Sequence, residues 1–257
     1  MNHLSYEVAG QGPLLVLLHA FPLSRKMWAR ELREWTRFAR VVAPDLPGFG
    51  DSPRQREPSI PAMAASVLAL LDTLGIHEPV IAGGLSMGGY VVFEMARQAP
   101  ERVRALGLFA TRANADTDEQ RRGRFALRDR ILQEGVQPLI DAMVPKLLGS
   151  TTRAEHPDIT QALIEEIRRA DPAGIADALA TMARRADATD RLPSLMCPTL
   201  IVAGEEDAVI PSAQADEMRR RIPGACLERI PRAGHLINLE QPERFRDVVE
   251  RFVRSLP

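Results

Sequence analysis

Short uninterrupted apolar runs recur along the chain, each closed off by glycine, proline or a polar residue. Leu14-Leu15-Val16-Leu17-Leu18, between Gly12-Pro13 and His19, is too short for a core helix and predicts a strand buried on both faces. Residues 40–44, 79–83, 103–110 and 199–203 repeat that pattern. Between these runs the apolar positions follow a helical period. In 61–74, Met63, Val67, Leu70, Leu71 and Leu74 share one face, and 89–98, 213–221 and 243–256 read in the same way. Strands alternating with helices of this length imply βαβ crossovers, hence an α/β fold with a mostly parallel sheet flanked by helices.

The alternation stops after about residue 112 and resumes near 191. Four helical segments follow one another there, at 117–133, 136–147, 158–169 and 173–185, with no convincing strand. Arginines crowd this stretch: Arg121, Arg122, Arg124, Arg128, Arg130, Arg168, Arg169, Arg184 and Arg185. Solvated helix faces are the expected reading of such a pattern. The organisation it suggests is a core in two parts, 1–112 and 191–257, interrupted by an all-helical insertion, 113–190, that covers the active site as a cap.

Composition narrows the partners. Of 257 residues, 33 are basic and 34 acidic, a formal net charge of −1 that offers no field for nucleic acid or an anionic membrane. The start of the chain has no basic segment followed by an apolar one, and no apolar run approaches a membrane span, so a cytoplasmic protein is expected. Cys197 and Cys226 lack metal-ligand spacing and read as reduced, buried thiols. No cofactor and no metal are expected, and the chain should act as a monomer or homodimer.

The chemistry concentrates around Gly84-Leu85-Ser86-Met87-Gly88, which follows one predicted strand and opens a helix-like segment. Such a strand-to-helix turn with flanking glycines is the setting of a nucleophile elbow, which makes Ser86 the candidate nucleophile. A serine needs a base. Among five histidines, His235 lies in a loop between the strand-like 226–230 and the last helix, on the side where catalytic loops of open α/β sheets collect. An acid should follow a late strand, and Gly204-Glu205-Glu206-Asp207 does so. Asp207 is the choice, because it directly precedes the apolar Ala208-Val209-Ile210-Pro211; Glu205 and Glu206 read as solvated loop charges. Backbone N–H groups of Met87 and Phe21 are the candidate oxyanion donors. His19 is then expected to fix the Phe21 loop rather than to act as a second base.

With His19-Ala20-Phe21-Pro22, Asp45-Leu46-Pro47-Gly48-Phe49-Gly50-Asp51-Ser52, the Ser86 pentapeptide, Gly204 to Asp207 and Gly234-His235 in this order, the chain resembles the α/β-hydrolase superfamily over nearly its whole length. The resemblance implies an eight-stranded sheet, a helical cap, a Ser86-His235-Asp207 triad and an oxyanion hole at Phe21 and Met87. Ala20 departs from the glycine usual at its position. Leu85 resembles the residue before the nucleophile in 3-oxoadipate enol-lactonases and small carboxylesterases. The expected activity is cofactor-free hydrolysis of small carboxylic esters or lactones, with perhydrolysis as a side activity. The rival is a ligand-sensing or signalling protein of very slow turnover. Trp28, Leu85, Met143 and Leu147 are candidates for an apolar acyl pocket. Arg112 and Arg124 could hold a substrate carboxylate, although surface salt bridges are the expected role.

Overall fold

A computed structural model describes residues 4–257, so His3 lies outside the described residues. Seven strands form one sheet: β1 (Tyr6–Ala9), β2 (Leu14–Leu18), β3 (Arg40–Pro44), β4 (Val80–Leu85), β5 (Val103–Phe109), β6 (Thr199–Gly204) and β7 (Cys226–Ile230). Their spatial order is β1-β3-β2-β4-β5-β6-β7. β1 runs antiparallel to β3 and every other pair is parallel. The expected eighth strand is absent from the described residues. The stretch ahead of β2 supplies one strand, β1, which forms the sheet edge beside β3.

The four central strands became strands because their side chains have nowhere else to go. All residues of β2, β4 and β6 are buried, as are six of the seven in β5, which is what continuous apolar runs buried on both faces require. Cys226 does not fit the expected pattern: it opens the edge strand β7 and is exposed, while Cys197 is half-buried.

The connecting helices are α1 (Ala29–Glu34), α2 (Ile60–Thr73) and α3 (Met87–Gln98). The stretch between β5 and β6 holds α4 (Asp118–Glu134), α5 (Gln137–Leu147), α6 (Ser150–Glu155), α7 (Pro157–Arg168) and α8 (Pro172–Ala183). The last three are α9 (Ser212–Arg221), α10 (Ile237–Glu240) and α11 (Pro242–Ser255). α4 opens with a reciprocal capping box between Thr117 and Gln120. The third helix of this stretch, α6, has no apolar period to betray it: of its six residues only Thr152 is buried.

An aromatic knot joins α11 to the sheet. Phe245, fully buried, lies with ring centroids 6.2 Å from Trp28, 5.7 Å from Trp35 and 5.0 Å from Phe109. Trp28 therefore belongs to the core and not to an acyl pocket. Its indole, beside Phe245, is placed by the apolar area it removes from water.

Candidate active site

β4 ends and α3 begins at Ser86, whose backbone has φ +55° and ψ −111°. A serine in that region is strained and persists only when its surroundings over-determine it. Three hydrogen bonds do so. The Ser86 N–H donates to the Phe109 carbonyl (2.8 Å), and the Ser86 carbonyl accepts from the Gly89 N–H (2.9 Å) and the Thr111 hydroxyl (2.8 Å). The flanking glycines are required by contact. A Cβ on Gly84 would stand 2.3 Å from the Gly88 carbonyl, and one on Gly88 would stand 2.2 Å from that of Leu18.

His235 sits between β7 and α10, and its Nδ1 lies 2.9 Å from Asp207 Oδ2. The other Asp207 oxygen accepts from the N–H groups of Val209 (2.7 Å) and Ile210 (2.9 Å). With one oxygen held by its own loop, the carboxylate presents the second to the imidazole, and both side chains are almost wholly buried. An ionised carboxylate can only accept, so Nδ1 carries the proton and Nε2 is left as the basic nitrogen. Ser86 and His235 line one cavity of about 540 Å³ together with Phe21.

The Phe21 and Met87 amides have no protein acceptor among the described residues. For Met87 this follows from its place as the first residue of α3, where a helix leaves its N–H groups unpaired. The loop carrying Phe21 is fixed from below by His19. Its Nε2 accepts from the Leu46 N–H (2.9 Å), so Nδ1, 3.0 Å from the Ala20 carbonyl, is the donor. Burial lowers the His19 pKa to about 4, against the opposing pull of the Ala20 carbonyl and Asp45, and the ring is neutral at pH 7. The Ala20 N–H donates to Met27 Sδ at 3.2 Å.

Of the four pocket candidates, Met143 lines the cavity. Leu85 and Leu147 are fully buried, like Trp28, and lie outside its lining: Leu85 is the last residue of the central strand β4, and Leu147 packs in the core at the end of α5. Glu206, half-buried, does more than carry a solvated charge. Its carboxylate accepts from the Thr151 N–H (2.8 Å), the Thr151 hydroxyl (2.5 Å) and the Ser150 hydroxyl (2.9 Å), which hold it below the usual carboxylate range. Glu240 grips the same place from the histidine side. It accepts from the Gly149 N–H (2.7 Å), the Thr152 hydroxyl (2.7 Å) and the Leu236 N–H (3.1 Å). Between them the Gly149 and Gly234 backbones meet so closely that a Cβ on Gly234 would stand 2.2 Å from the Gly149 nitrogen. Sequence gave no signal for either clamp, because both depend on contacts across 55 residues or more.

The arginines of the insertion also depart from expectation. Asp116, fully buried, accepts from Arg112 Nη2 (2.5 Å) and Arg185 Nη1 (2.6 Å) on one oxygen and from Arg124 Nε (2.5 Å) on the other. Burial pushes the Asp116 carboxyl up, but Arg124 and Arg185 outweigh it and hold it below its ordinary value. Arg185 lies 4.2 Å over the Tyr90 ring. Arg112 and Arg185 are thus buried members of one cluster, and not surface ion pairs.

Residues 13–242 match the family model of the alpha/beta hydrolase fold. A thermophilic esterase from Thermogutta terrifontis, solved with malate bound, is 38% identical with a TM-score of 0.96, covering 98% of this chain and 93% of that one. The 3-oxoadipate enol-lactonase 1 of Acinetobacter baylyi is 26% identical, covering 98% and 94%. A putative 2-succinyl-6-hydroxy-2,4-cyclohexadiene-1-carboxylate synthase of Bacillus subtilis is 29% identical, covering 98% and 95%. Among the described residues no helix is long and apolar enough to cross a membrane.

Proposed function

We propose, from the premise that the chain belongs to the α/β-hydrolase family, that it is a serine hydrolase that cleaves carboxylic esters or lactones through an acyl-enzyme on Ser86. The observation that carries this reading is the strained Ser86 at +55° sharing one cavity with a His235 whose Nδ1 is engaged by Asp207. Ser86 Oγ attacks the acyl carbon while His235 Nε2 takes its proton. Asp207 keeps the imidazole in the required tautomer and stabilises the imidazolium. The N–H groups of Phe21 and Met87 receive the charge that develops on the carbonyl oxygen, each worth about 3 kcal/mol by analogy with measured deletions. His235 then protonates the leaving alkoxide and activates the water that releases the acid.

Residues 113–190 act as a cap between two core parts, 1–112 and 191–257. The support is that α4 and α5 contribute Leu127 and Met143 to the cavity in which Ser86 lies. Relatives named as an esterase and an enol-lactonase favour ester or lactone substrates, whereas the relative named as a synthase shows that this kinship alone does not fix the reaction. The test is hydrolysis of p-nitrophenyl acetate and butyrate by the wild type and by Ser86→Ala between pH 5 and 9. The reading requires activity that rises as the base loses its proton and a loss of several orders of magnitude in the variant. Equal, slow rates for the two proteins would sink it for these esters.

A further inference from the structure

The cavity that holds Ser86 carries four cationic side chains, Arg112, Arg124, Arg130 and Lys146, and no carboxylate among the described residues that line it. Three of the four have carboxylate partners, Arg112 and Arg124 sharing Asp116. Arg130 is paired with Glu134 on the surface of α4, and Arg124 Nε with Asp116. The balance remains positive. Asp116 is one carboxylate shared by three guanidinium groups, and both its oxygens are occupied. Arg185 does not line the cavity; it bonds Asp116 and the Met182 and Asn114 carbonyls and lies over the Tyr90 ring, and its Nε, like that of Arg112, is buried without a partner. Arg112 does line the cavity, and its Nη2 reaches Asp116 and the Gln120 side chain. Lys146, at the exposed end of α5, has no partner among the described residues.

Packing around Asp116 accounts for one charge of the cluster and leaves the excess unexplained. The position of Arg112 supplies a reason. It follows Thr111, whose hydroxyl donates to the Ser86 carbonyl, so the chain that pins the nucleophile delivers the guanidinium to the same cavity. Guanidinium groups match carboxylates in charge and in the spacing of their donors. We infer that the substrate is an ester or lactone bearing a free carboxylate, received by Arg112 with Arg124 and Lys146 while its acyl carbon lies at Ser86. This inference rests on the hydrolase reading for the reaction, and on the charge of the cavity for the substrate.

The experiment compares kcat/KM for mono-p-nitrophenyl glutarate, which carries a free carboxylate, with that for p-nitrophenyl pentanoate, which ends in a methyl group. The wild type should prefer the acid by about tenfold or more, as one well-placed charge contact of this kind supplies. Arg112→Gln should bring that ratio to near one, Lys146→Gln should lower it several-fold, and Arg112→Lys should keep part of it. Raising the salt concentration should erode the preference in the wild type. A wild-type ratio at or below one, with the neutral ester turned over in a Ser86-dependent way, overturns the inference and leaves the hydrolase reading standing. Arg112→Gln removes a partner of buried Asp116 and could fail to fold; Lys146→Gln, on an exposed residue, keeps the test open. Calorimetry of glutarate against dimethyl glutarate with Ser86→Ala decides the matter even when neither ester is turned over. Preferential binding of glutarate supports the inference, and equal or absent binding of the two refutes it.

Discussion

The sheet and the helical stretch between β5 and β6 are held by different means. In the sheet, backbone ladders and fully buried aliphatic runs fix the ends of β4, β6 and β7, from which Ser86, Asp207 and His235 follow. The helical stretch buries apolar residues of its own, such as Leu139, Ile167 and Ile175. Its hydrogen bonds to the rest of the molecule, in contrast, are separate polar grips, among them Glu206 and Glu240 on 149–152, Ser24 on Glu166, Arg54 on Asp177, Arg232 on Glu155, and Leu236 on the Leu147 carbonyl. A region secured by area tolerates the loss of one polar contact, whereas a region secured by a few grips responds to each of them. The difference also separates two of the buried acids. Glu31 lies in the core with one oxygen unpartnered, and burial raises its pKa to about 8. Glu240, at the insertion, accepts three hydrogen bonds.

The largest effect should come from the core. Phe245→Ala removes the ring shared by Trp28, Trp35 and Phe109 and should cost about 3 to 5 kcal/mol, read as a lower urea midpoint with an unchanged slope. A loss under about 1 kcal/mol would mean that the aromatic knot is not what secures α11.

Next comes pH, which should act on the core before the insertion. His19 has its pKa lowered to about 4, so the stability it allows is whole above pH 6.5 and declines as the pH falls toward 4. Its loss amounts to about 3 kcal/mol at the acid end. Glu31 works in the opposite direction. With a pKa raised to about 8, its contribution is whole below pH 4.5 and declines as the pH rises to 8. Glu31→Gln should therefore raise the melting temperature at pH 8, by an amount equivalent to about 4 kcal/mol, and the gain should vanish below pH 4.5. Asp116 has a lowered pKa, so its cluster should hold until the pH falls below 3.8. Hydrogen exchange between pH 6.5 and 4 should accordingly quicken around residues 19–46 before it quickens around 112–124; the reverse order would contradict the assignment.

Smaller effects should appear at the grips. Glu240→Gln replaces an acceptor with an amide that faces N–H donors, at a cost of about 2 kcal/mol. Exchange protection should fall across 147–155 and stay unchanged in β4 and β5. Glu206→Gln, on a less buried side chain, should cost under about 1 kcal/mol of stability. If either substitution loosened the sheet as much as the insertion, the two regions would not be secured separately.

The legibility of the chain follows the same division. β2 and β3 lie where the apolar runs place them, and β4 to β6 within a residue or two, because burial on both faces leaves a signature in sequence order; β7 lies at the strand-like 226–230 although only Ile230 of it is buried. The positions of Ser86, Asp207 and His235 were readable because each occupies a loop defined by those strands. What could not be read depends on partners distant in the chain. α6 has no apolar stripe and is secured at its start by Glu206 and Glu240. Trp28, Leu85 and Leu147 are apolar enough to be buried, but hydrophobicity does not say whether a residue faces a cavity or the core. Arg112 and Arg185 looked like surface charges because nothing near them in sequence shows that Asp116 is buried among them.

The meeting of Gly149 with Gly234 has a consequence for how such a molecule can change over time. The insertion is fastened at 147–152, behind the loops that carry Asp207 and His235, while Leu127, Met143 and Lys146 form cavity wall farther up α4 and α5. At 147–152, therefore, fastening and wall are carried by different residues, unlike at Arg112 and Gln120, where they coincide. Substitutions in this part of the wall can be sampled, in a lineage or in a laboratory library, without passing through variants whose Asp207 and His235 loops have come adrift, and the two glycines mark the seam at which one helical stretch can be exchanged for another.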